Sequence, residues 1–200
     1  MSESSANDSH GSAAQSLRVA VVTISSDRGL EDDPAGTALV EGLEGAGIEI
    51  TVREHVNSDY DQVQSIVSRL IDRTDVELVI TAGGTSVEPD DDALEAVEPL
   101  LEKELTAFAE LVTALAYDRI GTRVVTVRTL AGVAEGTPVF CLPGTADTAT
   151  LALEEIILSE AETVVELARE DDPDTEGERG ETGGDRASAG TDDEAADREA

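Results

Sequence analysis

The chain has 200 residues, of which 45 are Asp or Glu and 13 are Lys or Arg, so its formal net charge is −32. This composition does not build the basic surface that binds DNA or RNA, and we expect no nucleic-acid partner. No stretch approaches the length of a membrane span, and the first residues contain no apolar signal-peptide core. We therefore expect a cytoplasmic protein with no membrane partner.

The acidity itself has two interpretations. One is a surface that binds a partner protein. The other is adaptation to a high-salt cytoplasm, where salt shortens charge repulsion and dense carboxylates keep the surface hydrated. The acids spread over the predicted helices and the C-terminal region alike, and lysine occurs once, at Lys103. Both observations favour the high-salt interpretation.

Apolar runs recur from Leu17 to Arg169 and vanish on either side. The pattern predicts one domain, 17–169, which is long enough to bury a core without disulfides. It predicts a disordered N-terminal segment, 1–16, and a disordered acidic tail, 170–200. The single cysteine, Cys141, lies in the apolar run "PVFCL", which indicates a buried strand residue rather than a nucleophile.

The first half of the domain alternates strands with helices. The apolar runs 17–24 and 76–81 and the alternating segment 48–56 predict strands. One helix is predicted at 37–47, and a second begins after Asp59, which has the chemistry of an N-cap. The apolar face of the second helix consists of Val63, Ile66, Val67, Leu70 and Ile71.

The second half continues the alternation. A short helix at 93–101 precedes a longer amphipathic helix at 102–118. Two further strands are predicted at 123–127 and 138–142, and a turn at 143–145 leads into a final helix. Alternating strands and helices predict a three-layer α/β/α sandwich around a mostly parallel sheet.

Ligands of open α/β sheets bind at the C-terminal ends of the strands. Five polar segments are predicted there, namely "SSDRG", "NSD", "TAGGTSVEPDDD", "VRTLAG" and "LPGT". In the third segment, Gly83 and Gly84 let the backbone approach a ligand, and the exposed amides of such a turn suit a phosphate. Tight turns without a ligand use the same residues.

Carboxylates beside a phosphate site make sense when a divalent metal lies between them. Mg²⁺ binds one or two carboxylates together with phosphate oxygens, and Asp59 and Asp91 each lie at a predicted strand–helix connection. A helix cap or a solvated acid also explains either residue alone. The chain has no GxxxxGK[ST] motif, and its two histidines, His10 and His55, do not support a histidine-based metal site or triad.

In their order and spacing these segments resemble the MoaB/MogA family, the molybdopterin adenylyltransferase-type proteins of molybdenum cofactor biosynthesis. "RVAVVTISSDRGLEDDPAG" is similar to the family's first strand and loop, and "VITAGGTSVEPDDDALEA" to its T-G-G-T-G-x-x-x-x-D-x-x-x-E-A. "ELTAFAELVTALAYDRIGT" is similar to its E-x-x-G-F-x-E helix, closest to the MoaB branch, and "RTLAGV" and "LPGT" to S-R-A-x-A-G and L-P-G-S-P. The resemblance covers about 17–169 and, with the acidity, suggests a haloarchaeal member.

The resemblance implies an α/β sandwich that assembles as a trimer or hexamer. It implies Mg²⁺-dependent transfer of AMP from ATP to the terminal phosphate of molybdopterin, with release of pyrophosphate. ATP and molybdopterin would be the substrates, and the metal-insertion enzyme of the same pathway a further partner. The helix at 102–118 is a candidate subunit interface, although packing on its own sheet explains it equally well.

The resemblance also implies site residues. Asp59 and Asp91 would be the catalytic and metal-binding acids. Substrate binding is implied for Gly83, Gly84, Thr85, Ser86, Arg128, Gly132, Pro143, Gly144 and Thr145. The first loop, on the nucleotide side, would contribute Ser26, Asp27 and Asp33, although a surface acid explains the two aspartates equally well.

The sequence departs from the family pattern at several positions. Ser86 replaces the last glycine of G-G-T-G, where a positive φ would strain it by about 1 kcal/mol or more. The other polar groups lost are replaced by Thr113, Ala116, Val127 and, in place of a lysine, Asp147. A second hypothesis therefore stands beside the adenylyltransferase, namely a non-catalytic member that binds a pterin or a partner enzyme. The five-segment match disfavours a third, an unrelated acidic interaction protein.

Overall fold

A computed structural model describes residues 17–27, 29 and 32–169. The predicted disordered segments, 1–16 and 170–200, lie outside the described residues and stay predictions. The strands are β1 Arg18–Ile24, β2 Glu49–Val56, β3 Leu78–Ala82, β4 Lys103–Glu104, β5 Leu130–Ala134 and β6 Thr137–Leu142. The helices are α1 Pro34–Gly45, α2 Tyr60–Ile71, α3 Ala93–Val97, α4 Thr106–Ile120, α5 Ala146–Ala152 and α6 Leu158–Arg169.

The six strands form one mixed sheet in the order β2-β1-β3-β6-β5-β4. The first four strands in this order are parallel to one another, whereas β5 runs antiparallel to β6 and β4 antiparallel to β5. The mostly parallel sheet is therefore confirmed, with an antiparallel edge.

Helices cover both faces of the sheet, as a three-layer sandwich requires. On one face, Leu39 and Leu43 of α1 and Phe108 of α4 pack in a core that also includes α5 and α6. On the other face, α2 and α3 bury their apolar residues against alternate residues of the same strands. Near-continuous apolar strands such as β1 are thereby buried on both sides, which is what a parallel sheet between two helical layers demands.

The local signals of α2 were predicted correctly. Its cap is Asp59, whose carboxylate accepts a hydrogen bond of 3.0 Å from the backbone N–H of Gln62. All five residues predicted on its apolar face are buried, namely Val63, Ile66, Val67, Leu70 and Ile71. Cys141 is also buried within β6, and burial raises the pKa of its thiol to about 12, so the prediction of a strand residue is confirmed.

The predicted strand at 123–127 is wrong. The chain leaves α4 at Gly121 and forms a 3₁₀ segment, Gly121–Thr126, in which Val124 is buried while Val125 is 81% exposed. These apolar residues therefore do not line a sheet. The predicted helix at 102–118 also begins later than expected, at Thr106, because Lys103–Glu104 pairs with β5 as a short edge strand.

The fourth long strand is instead β5, with the sequence "LAGVA". Its small residues have weak strand propensity, but all five positions are buried between the helical layers. A tight hairpin turn returns the chain into β6 through Glu135 and Gly136, which adopt φ values of 49° and 75°. Positive φ at both central residues is the geometry of a type I′ turn, which matches the twist of paired strands.

No helix among the described residues combines the length and the apolar character needed to cross a membrane.

Candidate functional site

The five polar segments predicted at the strand ends meet at one edge of the sheet. Ile24 pairs with Val56 where β1 and β2 end, and Ala82 pairs with Leu142 where β3 and β6 end. The segment before β5 reaches the same edge, because Leu130 pairs with Cys141 in the antiparallel ladder. The prediction placed this segment after a parallel strand. In the structure it precedes β5, which is antiparallel to β6.

The glycine turn after β3 is shaped by close contact with the ends of β1 and β2. Gly83 has a φ of 105°, and a Cβ atom there would lie 2.1 Å from the backbone oxygen of Ile24. Gly84 has a φ of 62°, and a Cβ atom there would lie 2.9 Å from the Oγ of Ser58. The N–H of Gly83 donates to the carbonyl of Leu142 at 3.0 Å, so this amide is already used within the sheet. Of the two glycines, only Gly84 can therefore offer its amide to a phosphate.

The acidic loop beyond this turn is closed by its own hydrogen bonds. The N–H of Ala93 donates to the carbonyl of Gly84 at 2.9 Å, which joins the two ends of the loop. Within it, the N–H of Ser86 donates to Oδ2 of Asp91 at 3.0 Å, and the Oγ of Ser86 accepts from the N–H of Glu88 at 3.0 Å. Ser86 is not among the residues with positive φ, so the strain anticipated at this position is absent.

A continuous chain of hydrogen bonds connects three of the strand-end segments, and we call it the strand-edge network. The N–H of Ser58 donates to Ser26 Oγ at 3.2 Å, and the Oγ of Ser58 donates to Oδ1 of Asp91 at 3.2 Å. Asp91 then accepts from Ser86 as described. Ser58 was not predicted as a site residue, although its position between Asn57 and Asp59 in "NSD" was a usable signal.

Arg128 extends the strand-edge network to the segment before β5. Its Nη1 donates to the carbonyl of Ser86 at 3.2 Å, and its Nη2 donates to the carboxylate of Glu95 in α3. Partial burial raises the pKa of Glu95, but the hydrogen bond from Arg128 outweighs this, and the net effect lowers it. Glu95 was also missed as a site residue, although it occupies the glutamate of the family pattern.

Asp59 and Asp91 both lie at this edge, but their surroundings differ. Asp59 is exposed, and one of its oxygens caps α2. Asp91 is half-buried, and one of its oxygens accepts a hydrogen bond from Ser58 of the neighbouring segment while the other accepts from Ser86 of its own loop. Asp91 therefore ties two loops together whatever further role it has.

The first loop divides into exposed and buried parts. Ser26 and Asp27 are exposed after β1. Asp33 is only 6% exposed and caps α1, accepting a 2.8 Å hydrogen bond from the N–H of Gly36 and another from Thr23. A guanidinium nitrogen of Arg53 lies 3.8 Å from the same carboxylate. These contacts give Asp33 a structural role under α1, while Ser26 takes part in the strand-edge network.

The remaining predicted residues are placed in two groups. Pro143, Gly144 and Thr145 follow β6 at the strand-end edge, and the Oγ1 of Thr145 donates to Thr148 at 3.1 Å. Gly132 lies within β5, where an added Cβ would be 2.5 Å from the carbonyl oxygen of Lys103. Its lack of a side chain therefore serves the close approach of β4 to β5, away from the strand-end edge.

Comparison with known proteins identifies the family. Residues 20–163 match the family model described as a probable molybdopterin binding domain. Molybdenum cofactor biosynthesis protein B of Escherichia coli strain K12 is 35% identical over 140 residues, which cover 70% of this chain and 82% of that protein. The chain belongs to the MoaB/MogA family.

Solved structures of family members share the fold of this MoaB/MogA protein. A crystal structure of a molybdenum cofactor biosynthesis protein B superposes with a TM-score of 0.76 at 33% identity, covering 78% of this chain and 98% of the other. The MoaB of Pyrococcus furiosus, described as a tungsten cofactor synthesizing protein, superposes with a TM-score of 0.70 at 30% identity. That match covers 78% of this chain and 99% of the Pyrococcus chain.

Proposed function

We propose that this protein works in molybdenum cofactor biosynthesis, where it transfers AMP from ATP to the terminal phosphate of molybdopterin. An oxygen of that phosphate would form a bond to the α-phosphorus of ATP, and pyrophosphate would leave. Family membership supports a molybdopterin-related role. The adenylyl transfer is supported by the carboxylates, the hydroxyls and the Arg128 guanidinium that gather at the strand-end edge.

The observation that carries the proposal is the position of Asp91. Its carboxylate joins Ser58 after β2 to Ser86 after β3, so it lies where the strand-end segments converge. A buried or surface acid with no link to these segments would have spoken against a role in the site. Asp59, at the start of α2 and next to Ser58 in the chain, is the second carboxylate of the same edge.

The donors available at this edge fit Mg²⁺. The described residues contain no cluster of three or more His, Cys, Asp or Glu side chains arranged for a metal. Magnesium does not need one, because it binds through one or two carboxylates and takes its remaining ligands from substrate phosphates and water. A carboxylate offers about four lone-pair sites, and Asp91 uses two for hydrogen bonds. Asp59 and Asp91 would hold the ion, which when bound would neutralise charge on the transferring phosphoryl group.

The residues of this chain would do the positioning. Gly84 would approach the pterin phosphate closely, since neither a side chain at this position nor strain at Ser86 stands in the way. Thr85 is only 4% exposed, so a contact of its side chain with the phosphate stays a prediction. Arg128 would supply positive charge at the same place. The strand-edge network would keep the three loops in register while substrates exchange, because each loop shares a hydrogen bond with the next.

An adenylylation assay with a matched pair of variants tests the proposal. Purified protein is mixed with molybdopterin, labelled ATP and Mg²⁺ in multimolar KCl, with Asp91→Asn and Asp90→Asn alongside. Asp90 is exposed in the same loop and undergoes the same change of charge. We expect molybdopterin-AMP from the wild type and from Asp90→Asn, and a loss of about 100-fold or more in Asp91→Asn. Equal rates in both variants would contradict a role for Asp91.

The alternative, a non-catalytic pterin- or partner-binding member, rested on the departures from the family pattern. Two of these contact an apolar cluster under α4. Ala116 is buried in a small cluster with Val124 and Leu151, and Val127 packs against the same cluster. Their loss of hydroxyl groups therefore changes packing under α4. Bound pterin without an adenylylated product, in a folded protein, would nevertheless favour the alternative.

We also propose that the outer face of α4 is a subunit interface of a trimer or hexamer. Tyr117, which is 54% exposed, lies with the apolar side chains of Ala109, Ala114 and Val124 around an open depression of about 780 Å³. Exposed apolar side chains grouped in this way mark contact surfaces, whereas single ones are ordinary. Light scattering should report an oligomer for the wild type and dissociation in Tyr117→Glu, while Leu167→Glu, exposed on α6, should leave the mass unchanged. A wild-type monomer in high salt would contradict this assembly.

A further inference from the structure

Arg128 differs in charge from the other ionisable side chains of the strand-end edge. Among the described residues of the five strand-end segments, Arg128 is the only base, whereas the same segments contain the acids Asp27, Asp59 and Asp91. Any phosphate that binds at this edge meets mostly like charge. The guanidinium of Arg128 is therefore the group whose position matters most for an anionic substrate.

Two acceptors fix that guanidinium. Nη1 donates to the carbonyl of Ser86 at 3.2 Å, and Nη2 donates to the carboxylate of Glu95. Arg128 is 34% exposed and Glu95 45% exposed, so the pair lies on the rim and not in the core. A guanidinium has five N–H donors in a rigid planar fork, so two anchors fix its plane and leave donors for a ligand.

We propose that Glu95 is a positioning residue that holds Arg128 for the terminal phosphate of the pterin substrate. The inference rests on the proposed function, because it takes the pterin phosphate as the anion. Ser86 connects the parts, since its carbonyl accepts from Arg128 while its N–H donates to Asp91. Glu95 thus fixes the guanidinium of Arg128, and the backbone of the single residue Ser86 links that guanidinium to Asp91, the carboxylate proposed to hold the metal.

Glu95 could affect phosphate binding in two opposite ways, by neutralising Arg128 or by positioning it, and the direction of the change in affinity distinguishes them. If the carboxylate merely neutralised Arg128, removing its charge would free the cation and tighten binding of the phosphate. If it positions Arg128, removing it releases a long side chain, whose ordering then costs binding energy. Shortening the side chain by one methylene in Glu95→Asp should disturb position while it keeps charge. Glu95→Gln should keep an acceptor at the original length while it removes charge.

Steady-state kinetics in multimolar KCl separates these effects. We expect Glu95→Ala and Glu95→Asp to raise the KM for molybdopterin about tenfold, as loss of a hydrogen bond to a charged ligand would, with kcat and the KM for ATP within about threefold. The KM of Glu95→Gln for molybdopterin should lie between those of these variants and the wild type. Glu98→Gln, exposed in the next turn, serves as the control and should match the wild type. A lower KM in Glu95→Ala or Glu95→Gln would overturn the proposal.

A double variant shows whether Glu95 acts through Arg128. Once Arg128→Ala has been made, adding Glu95→Ala should change the KM for molybdopterin no further. Additive effects would mean that Glu95 acts independently, which contradicts positioning.

Binding experiments distinguish failure of this proposal from failure of the proposed function. Calorimetric titration of molybdopterin measures affinity without turnover, and the same order of variants is expected in the dissociation constants. A wild type that binds molybdopterin without turnover would overturn the adenylyltransferase while the variants still decide the role of Glu95. A wild type that does not bind molybdopterin overturns both.

Discussion

Gly83 lies where the chain leaves β3, in close contact with the end of β1. Its φ of 105° is unfavourable for residues with a side chain, and a Cβ there would lie 2.1 Å from the backbone oxygen of Ile24. Backbone atoms cannot move aside as a flexible side chain can. We therefore predict that Gly83→Ala lowers the free energy of unfolding by about 2–4 kcal/mol, measured by denaturant titration at constant KCl.

Gly45→Ala is the matched control for this prediction. Gly45 ends α1, has no atom within 4 Å of an added Cβ and does not have a positive φ. Alanine should be neutral or stabilising there by roughly 0.5–1 kcal/mol, because it restricts the unfolded chain. Equal destabilisation by both variants would show that the close approach of Gly83 to Ile24 is not the cause.

Individual residues differed in how well the sequence predicted them. The cap at Asp59 was predictable, because a local hydrogen bond to the start of its own helix needs no tertiary contact. The partners of Asp91 were not, since Ser58 lies 33 positions away in the chain. Strain at Ser86 was conditional on a positive φ, and the folded loop, which alone determines that angle, does not adopt one.

At the scale of elements, Glu77 ties the end of α6 to the beginning of β1. It accepts hydrogen bonds from the N–H of Arg18 at 2.9 Å and from the guanidinium of Arg169 at 2.8 Å. Burial alone would raise the pKa of Glu77, but the hydrogen bonds from both arginines outweigh it and lower the pKa from 4.5 to about 2. The ionised carboxylate of Glu77 therefore stabilises the folded state at every pH at which the same side chain is also ionised in the unfolded chain.

The sign of the pH dependence follows from this lowered pKa. Stabilisation by Glu77 is complete above the unfolded pKa of 4.5 and is lost as pH falls toward 2. Because both arginines are partly exposed, we expect Glu77→Gln to lower the free energy of unfolding by about 1–2 kcal/mol at neutral pH. The difference from the wild type should shrink below about pH 4.5 in denaturant titrations at fixed salt.

Glu54→Gln provides the comparison. Glu54 pairs with Arg69 at 2.8 Å, but the arginine side chain is 59% exposed and the pair lies on the surface. Such a pair contributes about 0–1 kcal/mol, so this variant should be close to the wild type across the pH range. A larger effect for Glu54 than for Glu77 would contradict the connection between α6 and β1.

The strand β5 was predicted at the wrong place in the sequence, at 123–127 instead of Leu130–Ala134. "RVVTV" has the residue types of a strand, whereas "LAGVA" does not, yet the second forms the strand. Neighbouring strands and both helical layers bury "LAGVA" at every position, and that burial overrides propensity. Arg128 still arrives at the strand-end edge because β5 starts there.

For the whole molecule, the net charge of −32 predicts a strong dependence of stability on salt. Repulsion between surface carboxylates opposes compaction, and the screening length falls to about 3 Å in 1 M salt. We predict that raising KCl from about 0.2 M to 3 M raises Tm by about 10 °C or more, measured by thermal melts. Sucrose at equal osmolality should raise Tm less, because it does not screen charge. A Tm that is unchanged or lower in KCl would favour the partner-binding interpretation of the acidity.

The sequence by itself determined the alternation of strands and helices, the cap of α2, the buried strands and the family, because each follows from local pattern or from the order of short motifs. Tertiary structure alone decided which groups touch. It brought Ser26, Ser58 and Asp91 into one network and paired Arg128 with Glu95. These contacts join residues from separate loops, and their distances depend on sheet order and strand direction, which no single segment encodes.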